Sequence, residues 1–217
     1  MDFTIKDMPG LQYGSIYCIG RNYASHIREM RSERTDEPVV FLKPRSSLIF
    51  DGDTIKLPSS STNVHHEVEL VVLIGKQIAG LQSEEALAAV AAIGVGIDVT
   101  ARDIQSRAKL EGLPWTLAKG FDTFAPLGNL AKLTPGTDLQ DLEITIKVNG
   151  EIRQKGNTSQ MLFKVSEVIS YLSGRFTLYP GDLIFTGTPQ GVSRLNRGDY
   201  VEAVLGDQLS TLSVHVS

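Results

Sequence analysis

Val64-His65-His66-Glu67-Val68-Glu69-Leu70-Val71-Val72-Leu73-Ile74 is the stretch on which the reading of this chain turns. It alternates at first and then becomes continuously apolar, which predicts a strand over 64–74 that is buried along its second half. Residues i and i+2 of a strand share a face, so Glu67 and Glu69 project side by side. Two parallel carboxylates on a buried face repel each other and lose hydration. A divalent cation, two basic partners or a solvated edge would relieve them, and the apolar continuation argues against the edge. Carboxylate-only ligation points to Mg²⁺, Mn²⁺ or Ca²⁺ rather than zinc.

Outward from this stretch, strand patterns dominate. Short apolar or alternating runs lie at 39–42, 93–99, 142–148, 183–186, 200–205 and 209–216, and Asn149-Gly150 is a hairpin signal. Helices are expected from Ser83 to about Ala92, from a Thr100 cap with Asp103 to about Gly112, and from about Lys164 to Ser173. A short helical turn is expected around Tyr23 to Met30. Many short strands and few helices predict an α+β, strand-rich chain with a rolled sheet and peripheral helices. No linker or repeat divides it, so 1–217 reads as one catalytic-size domain.

The 217 residues carry net charge −4 and are 41% hydrophobic, values that exclude wholesale disorder and argue against non-specific nucleic-acid binding. No apolar run approaches the roughly 20 residues of a membrane helix. Cys18 is the single cysteine, which excludes an intrachain disulfide and a cysteine-type zinc site; in Ile16-Tyr17-Cys18-Ile19 it reads as a buried small hydrophobe. The first residues show neither a secretory nor an organelle leader, so a reducing cytoplasm is the expected location.

Other side chains fit chemistry around the glutamates. Asp98, at the end of an apolar strand, is a third oxygen ligand or a helix-terminus acid. His26 and Glu29, three apart, suit a general base oriented by a carboxylate, although a surface ion pair has the same spacing. Lys119, between apolar residues and glycine, suits a substrate carboxylate or developing oxyanion. Arg102 and Gln105 share a helix face. Thr186-Gly187-Thr188-Pro189-Gln190-Gly191 offers backbone and hydroxyl donors for an anion, without being a Walker or dinucleotide loop. His65 reads as a loop residue or a residue behind the ligands, and His215 as structural.

In order along the chain, Gly20-Arg21-Asn22-Tyr23 with His26 and Glu29, Phe41-Leu42-Lys43-Pro44, His66-Glu67-Val68-Glu69-Leu70, Gly96-Ile97-Asp98 through Asp103, Gly112-Leu113-Pro114-Trp115 through Lys119, and Gly181-Asp182 through Pro189 resemble the fumarylacetoacetate hydrolase family. The likeness is greatest to its short acylpyruvase and oxaloacetate decarboxylase members. The resemblance implies a mixed β-roll, a homodimer, and Mg²⁺ or Mn²⁺ on Glu67, Glu69 and Asp98. It implies His26, Glu29 and Lys119 as catalytic residues, with Arg21, Arg102, Gln105 and Thr188 around a 2-oxo acid substrate. The implied reaction is acylpyruvate hydrolysis, oxaloacetate decarboxylation or keto–enol tautomerisation. A hydroxymuconate-type isomerase or decarboxylase, and a non-catalytic metal-binding homodimer, are the alternatives.

Overall fold

Residues 68–74, the apolar half of that stretch, form a central strand of the larger of two packed sheets. The computed structural model describes residues 4–6, 8–30, 33–134 and 136–217. In chain order the first strands are β1 (Ile16–Gly20), β2 (Val39–Lys43), β3 (Leu48–Phe50), β4 (Thr54–Ile55), β5 (Val64–His66), β6 (Val68–Ile74), β7 (Val90–Ile97) and β8 (Thr100–Ala101). They continue as β9 (Ala125–Leu127), β10 (Ala131–Lys132), β11 (Glu143–Val148), β12 (Glu151–Asn157), β13 (Leu183–Phe185), β14 (Ser193–Arg194), β15 (Tyr200–Leu205) and β16 (Ser210–Val216). The helices are α1 (Ala24–Glu29), α2 (Ser83–Ala86), α3 (Arg102–Glu111), α4 (Thr116–Lys119) and α5 (Val165–Ser173).

The larger sheet runs β2-β1-β13-β6-β7-β9-β3, with β10 also on β7. It is mixed: β1 pairs β13 in parallel, whereas β6 is antiparallel to β13 and β7. The second sheet runs β12-β11-β15-β16-β4, and a small third one joins β14, β5 and β8. Strands β15 and β16 lie against β7, and β11 against β6, so the two larger sheets pack face to face. The chain is the strand-rich α+β β-roll expected of it.

The continuous apolar run has a geometric reason. Val68, Leu70, Val72 and Ile74 belong to one core cluster with Ile144, Ile146, Val201 and Leu212 of the second sheet. Val71 and Leu73 belong to another, with Ile16, Cys18, Leu183 and Phe185. Strand β6 is therefore covered on both faces, and each such side chain contributes about 1.5–3 kcal/mol relative to exposure. Cys18 is fully buried, as expected.

Several local expectations are corrected. The strand over 64–74 is broken at Glu67, between β5 and β6. The helix expected to about Ala92 is only α2 followed by a 3₁₀ turn over Leu87–Ala89; Val90 and Ala92 pair instead with Ile74 and Leu73. Ladder bonds and burial there outweigh the helix propensity of alanine. Thr100 does not cap a helix: it sits in β8 opposite His65. Asp103 accepts from Ser61 Oγ at 2.6 Å and Thr62 N at 2.9 Å, tying α3 to the preceding loop. His65 lies in strand β5 rather than a loop, its Nε2 2.9 Å from Asn63 Oδ1. Helix α3 ends before Gly112 and α5 before Gly174, as the sequence predicts. Asn149 and Gly150, at φ +52° and +80°, form the expected hairpin turn between β11 and β12. Among the described residues no helix is long and apolar enough to cross a membrane.

Candidate metal centre and its cleft

The break at Glu67 sets the site. Odd-numbered positions of β6 face the Val71 and Leu73 side, and Glu69 continues that row toward the strand's start. Opposite, Glu69 pairs with Gly96 on β7, two residues before Asp98, and Asp98 N donates to Glu67 O at 2.8 Å. Glu67, Glu69 and Asp98 thereby bring carboxylate oxygens within 4.8 Å of one another, all three buried.

A clamp of neutral groups fixes this strand end. Gln154 Oε1 accepts from Val68 N at 3.1 Å and lies 2.8 Å from His66 Nδ1, while its Nε2 donates to Thr188 Oγ1 and Pro189 O, each at 2.8 Å. Burial holds His66 below the ordinary imidazole range, so it enters the clamp neutral. Gly187 N donates to Glu69 Oε2 at 2.7 Å. Gly187 has φ +100°, and a Cβ there would lie 2.7 Å from Asn22 Cβ, so both backbone and space call for glycine.

The loop after β13 is thus not the anion cradle its composition suggests. Thr186 Oγ1 donates to Leu70 O and Thr188 Oγ1 to Val68 O, each at 2.8 Å. Those hydroxyl protons and the Gly187 N–H satisfy the strand end and Glu69, because buried acceptors must be partnered.

Three cations surround the carboxylates. Lys119 Nζ donates to Glu67 Oε2 at 2.8 Å and also to Asp98 Oδ2. Arg102 Nη2 donates to Glu67 Oε1, and its Nη1 donates to Gln105 Oε1 at 2.7 Å. Lys43 Nζ lies 2.7 Å from Asp98 Oδ1 but directs its hydrogen bonds to Val99 O and Lys119 O, leaving that buried oxygen with a charge contact and no aligned donor. Burial would raise the Glu67 carboxyl, but Lys119 and Arg102 reverse this and hold it well below the carboxylate range. Burial, then Asp98 and Glu67, push Glu69 well above that range. Burial would lower Lys119, but Asp98 and Glu67 outweigh it and keep the ammonium form.

These residues fit a hard divalent cation. They are oxygen donors only, they converge, one oxygen lacks an aligned donor among the described residues, and burial with Asp98 and Glu67 alongside disfavours a charge on Glu69 that a bound cation would balance.

His26 lies on α1 with Nδ1 3.0 Å from Glu29 Oε2, and Glu29 Oε1 accepts from Gly191 N at 2.9 Å. Asn22 anchors the approach to α1, donating to Thr186 O at 2.8 Å and Phe163 O at 3.0 Å. Every site residue expected from the sequence except Glu29 and Asp98 lines a single cleft. Glu29 sits behind His26, and Asp98 behind Lys119. Phe41 and Trp115 form its aromatic wall, with ring centroids 5.6 Å apart.

Sequence reasoning missed the parts played by Lys43 and Gln154. Lys43 stands in one of the quoted motifs without a role, and Gln154 lies on a hairpin strand whose neighbours are exposed, so neither had a local signal. His215 is exposed on β16, its ring 5.0 Å from that of Tyr200, and does not line the cleft.

The family model for the fumarylacetoacetate (FAA) hydrolase C-terminal region matches residues 15–217. This chain belongs to the fumarylacetoacetate hydrolase family. It is 45% identical over 188 residues to the mitochondrial oxaloacetate tautomerase FAHD1 of Arabidopsis thaliana, covering 87% of this chain and 84% of that protein. The crystal structure of fumarylpyruvate hydrolase from Pseudomonas aeruginosa in complex with Mn²⁺ and pyruvate is 38% identical, with a TM-score of 0.92 over 100% of this chain and 95% of that one. The 5-carboxymethyl-2-hydroxymuconate delta-isomerase from Mycobacterium smegmatis is 36% identical, with a TM-score of 0.82 over 94% of this chain and 78% of that one. The β-roll is thus the family's, and enzymes of hydrolytic and isomerising kind share it.

Proposed function

We propose that this chain is a Mg²⁺- or Mn²⁺-dependent enzyme acting on 2-oxo acids, with oxaloacetate tautomerisation or decarboxylation and acylpyruvate hydrolysis as its reactions. One observation carries the reading: His26, backed by Glu29, opens onto the same cleft as the carboxylates of Glu67 and Glu69. The Arabidopsis relative supports oxaloacetate as substrate, and the Mn²⁺ and pyruvate complex of the Pseudomonas relative supports the metal and the product class.

Glu67, Glu69 and Asp98 would hold the cation, which when bound supplies a Lewis acid for the oxygen of a developing enolate. The residues around it do the rest. Arg102, already fixed by Glu67, and Gln105, whose carbonyl is engaged by Arg102, present donors to the substrate carboxylate. His26 takes a proton from C3 of oxaloacetate and returns it at oxygen for tautomerisation, or takes one from water for attack on the distal carbonyl of an acylpyruvate. Glu29 holds the imidazole orientation and stabilises its protonated form. The loss of CO₂ from oxaloacetate needs an electron sink more than a base. Phe41 and Trp115 exclude water from one side.

The isomerase reading for hydroxymuconate-type acids is favoured by the Mycobacterium neighbour and by the same dyad, since proton transfer alone achieves it. Purified protein with Mg²⁺ or Mn²⁺ should be assayed on oxaloacetate, acetylpyruvate and a hydroxymuconate. Turnover of none of the three would refute the enzymatic reading and leave the metal-binding protein. Exposed Leu42, Leu110, Leu113 and Leu117, on or beside β2, α3 and α4, support a homodimer, which light scattering after gel filtration measures. The cytoplasmic location expected from the sequence is part of this proposal; the Arabidopsis relative is mitochondrial.

A further inference from the structure

Arg102, Gln105 and Lys109 are spaced i, i+3 and i+7 on α3, and all three line the cleft. Seven residues of helix place Lys109 about 10 Å along the axis from Arg102, toward the cleft's other end. There its Nζ lies 5.3 Å from the centre of the Trp115 ring. Trp115 is fixed in turn by Phe41 and by the close approach of Gly20, where a Cβ would lie 3.0 Å from the indole.

The cations of the cleft fall into two groups. Lys43, Lys119 and Arg102 each contact a carboxylate of the metal centre. Lys109 and Arg21, which also lines the cleft, contact no carboxylate among the described residues. Arg21 has φ +59°, in the left-handed region that costs a non-glycine residue about 1 kcal/mol or more. Among the described residues its Nε is buried without a partner, and its Nη1 donates to Glu33 O at 3.3 Å. Burial, then repulsion by Arg102 and Arg21, bring Lys109 down to about 8, and the Glu67 carboxylate offsets this only in part. An unpaired cluster of this kind is relieved by a ligand anion.

We propose that Lys109 and Arg21 form a second anion subsite that takes the distal carboxylate of a 2-oxo dicarboxylate, so that Lys109 makes the protein prefer such acids to 2-oxo acids with an uncharged tail. This rests on the reading of the cleft as a 2-oxo acid site. The metal end would hold the 2-oxo carboxylate group, and the aromatic wall would border the carbon chain between the two ends.

The test is calorimetric titration of Mn²⁺-loaded protein with pyruvate and with 2-oxoglutarate, which share the 2-oxo carboxylate and differ in the distal one. The wild type should bind 2-oxoglutarate on the order of 10-fold tighter or more, as for an added charge-assisted contact. Lys109→Met should bring the ratio of the two affinities toward one, and Lys109→Arg should retain most of it. Circular dichroism checks that both variants fold. A wild-type ratio near one, or equal losses for the two ligands in Lys109→Met, would overturn the subsite while leaving the 2-oxo acid site intact. Failure of the wild type to bind either ligand would overturn the site reading itself, and the subsite with it.

Discussion

Lys119 Nζ lies 2.8 Å from Glu67 Oε2, although the two residues come from separate segments 52 positions apart, and it bonds Asp98 as well. The lysine is therefore first a neutralising partner of the acidic cluster. Any contact it makes with substrate is made from that position.

Removing it should expose the repulsion it suppresses. Lys119→Met, measured in chelator, should lose about 3–5 kcal/mol of stability, the range for leaving buried charges without their partner. Divalent metal should return part of that loss. Lys119→Arg should fold and keep partial activity. Borohydride trapping during turnover, followed by intact-mass measurement, should find no adduct on Lys119; a stable adduct would replace enolate chemistry by imine chemistry.

Metal affinity should rise with pH, because cation binding must remove the proton that burial favours on Glu69. Without metal the sign for stability is opposite to that of an ordinary salt-bridged acid. The folded-state value lies above the unfolded one, so Glu69's contribution is complete below the usual carboxylate range and is lost as pH rises through the folded value. Melting temperatures in chelator should therefore fall with pH more steeply in the wild type than in Glu69→Gln. Identical pH profiles for the two proteins would remove Glu69 from this role.

His26→Ala should lower acetylpyruvate hydrolysis by about 10²–10⁴-fold, as for a lost general base. Oxaloacetate tautomerisation should fall similarly, since it is proton transfer, while decarboxylation should fall less. Glu29→Gln leaves one acceptor oxygen for two bonds: if it keeps the Gly191 bond, its amide N–H₂ faces His26 Nδ1 and selects the tautomer whose Nε2 cannot act as a base, so the loss should approach that of His26→Ala. Separate kinetic assays of the three reactions decide this, and a uniform loss across them would show that His26 positions substrate.

Gly187→Ala should cost roughly 1–3 kcal/mol, from a left-handed backbone and the clash with Asn22. The same shift would loosen the Gly187 N–H bond to Glu69, so Mn²⁺ affinity by calorimetry should weaken with stability. A destabilised variant with unchanged Mn²⁺ affinity would mean that the bond does not hold the ligand in place.

What the sequence alone determined is local and periodic. Alternation placed Glu67 and Glu69 on one face, the apolar run after them required cover on both sides, and Asn149-Gly150 set a hairpin turn. The His26–Glu29 spacing was equally readable, because one helical turn fixes it without the rest of the chain. The tertiary structure decided which faces meet. It drew Val90 and Ala92 out of an alanine-rich helix into β7, where Leu73 and Ile74 were waiting for ladder partners. It spent the Thr186 and Thr188 hydroxyls on strand carbonyls that no local pattern shows to be otherwise unsatisfied. It also brought Lys43, Lys119 and Arg102 to Glu67 and Asp98, carboxylates whose basic partners no local spacing shows. Periodicity records the direction of a side chain relative to its own element, whereas the desolvation and pairing of a charge depend on long-range contacts that exist only once the sheets have packed.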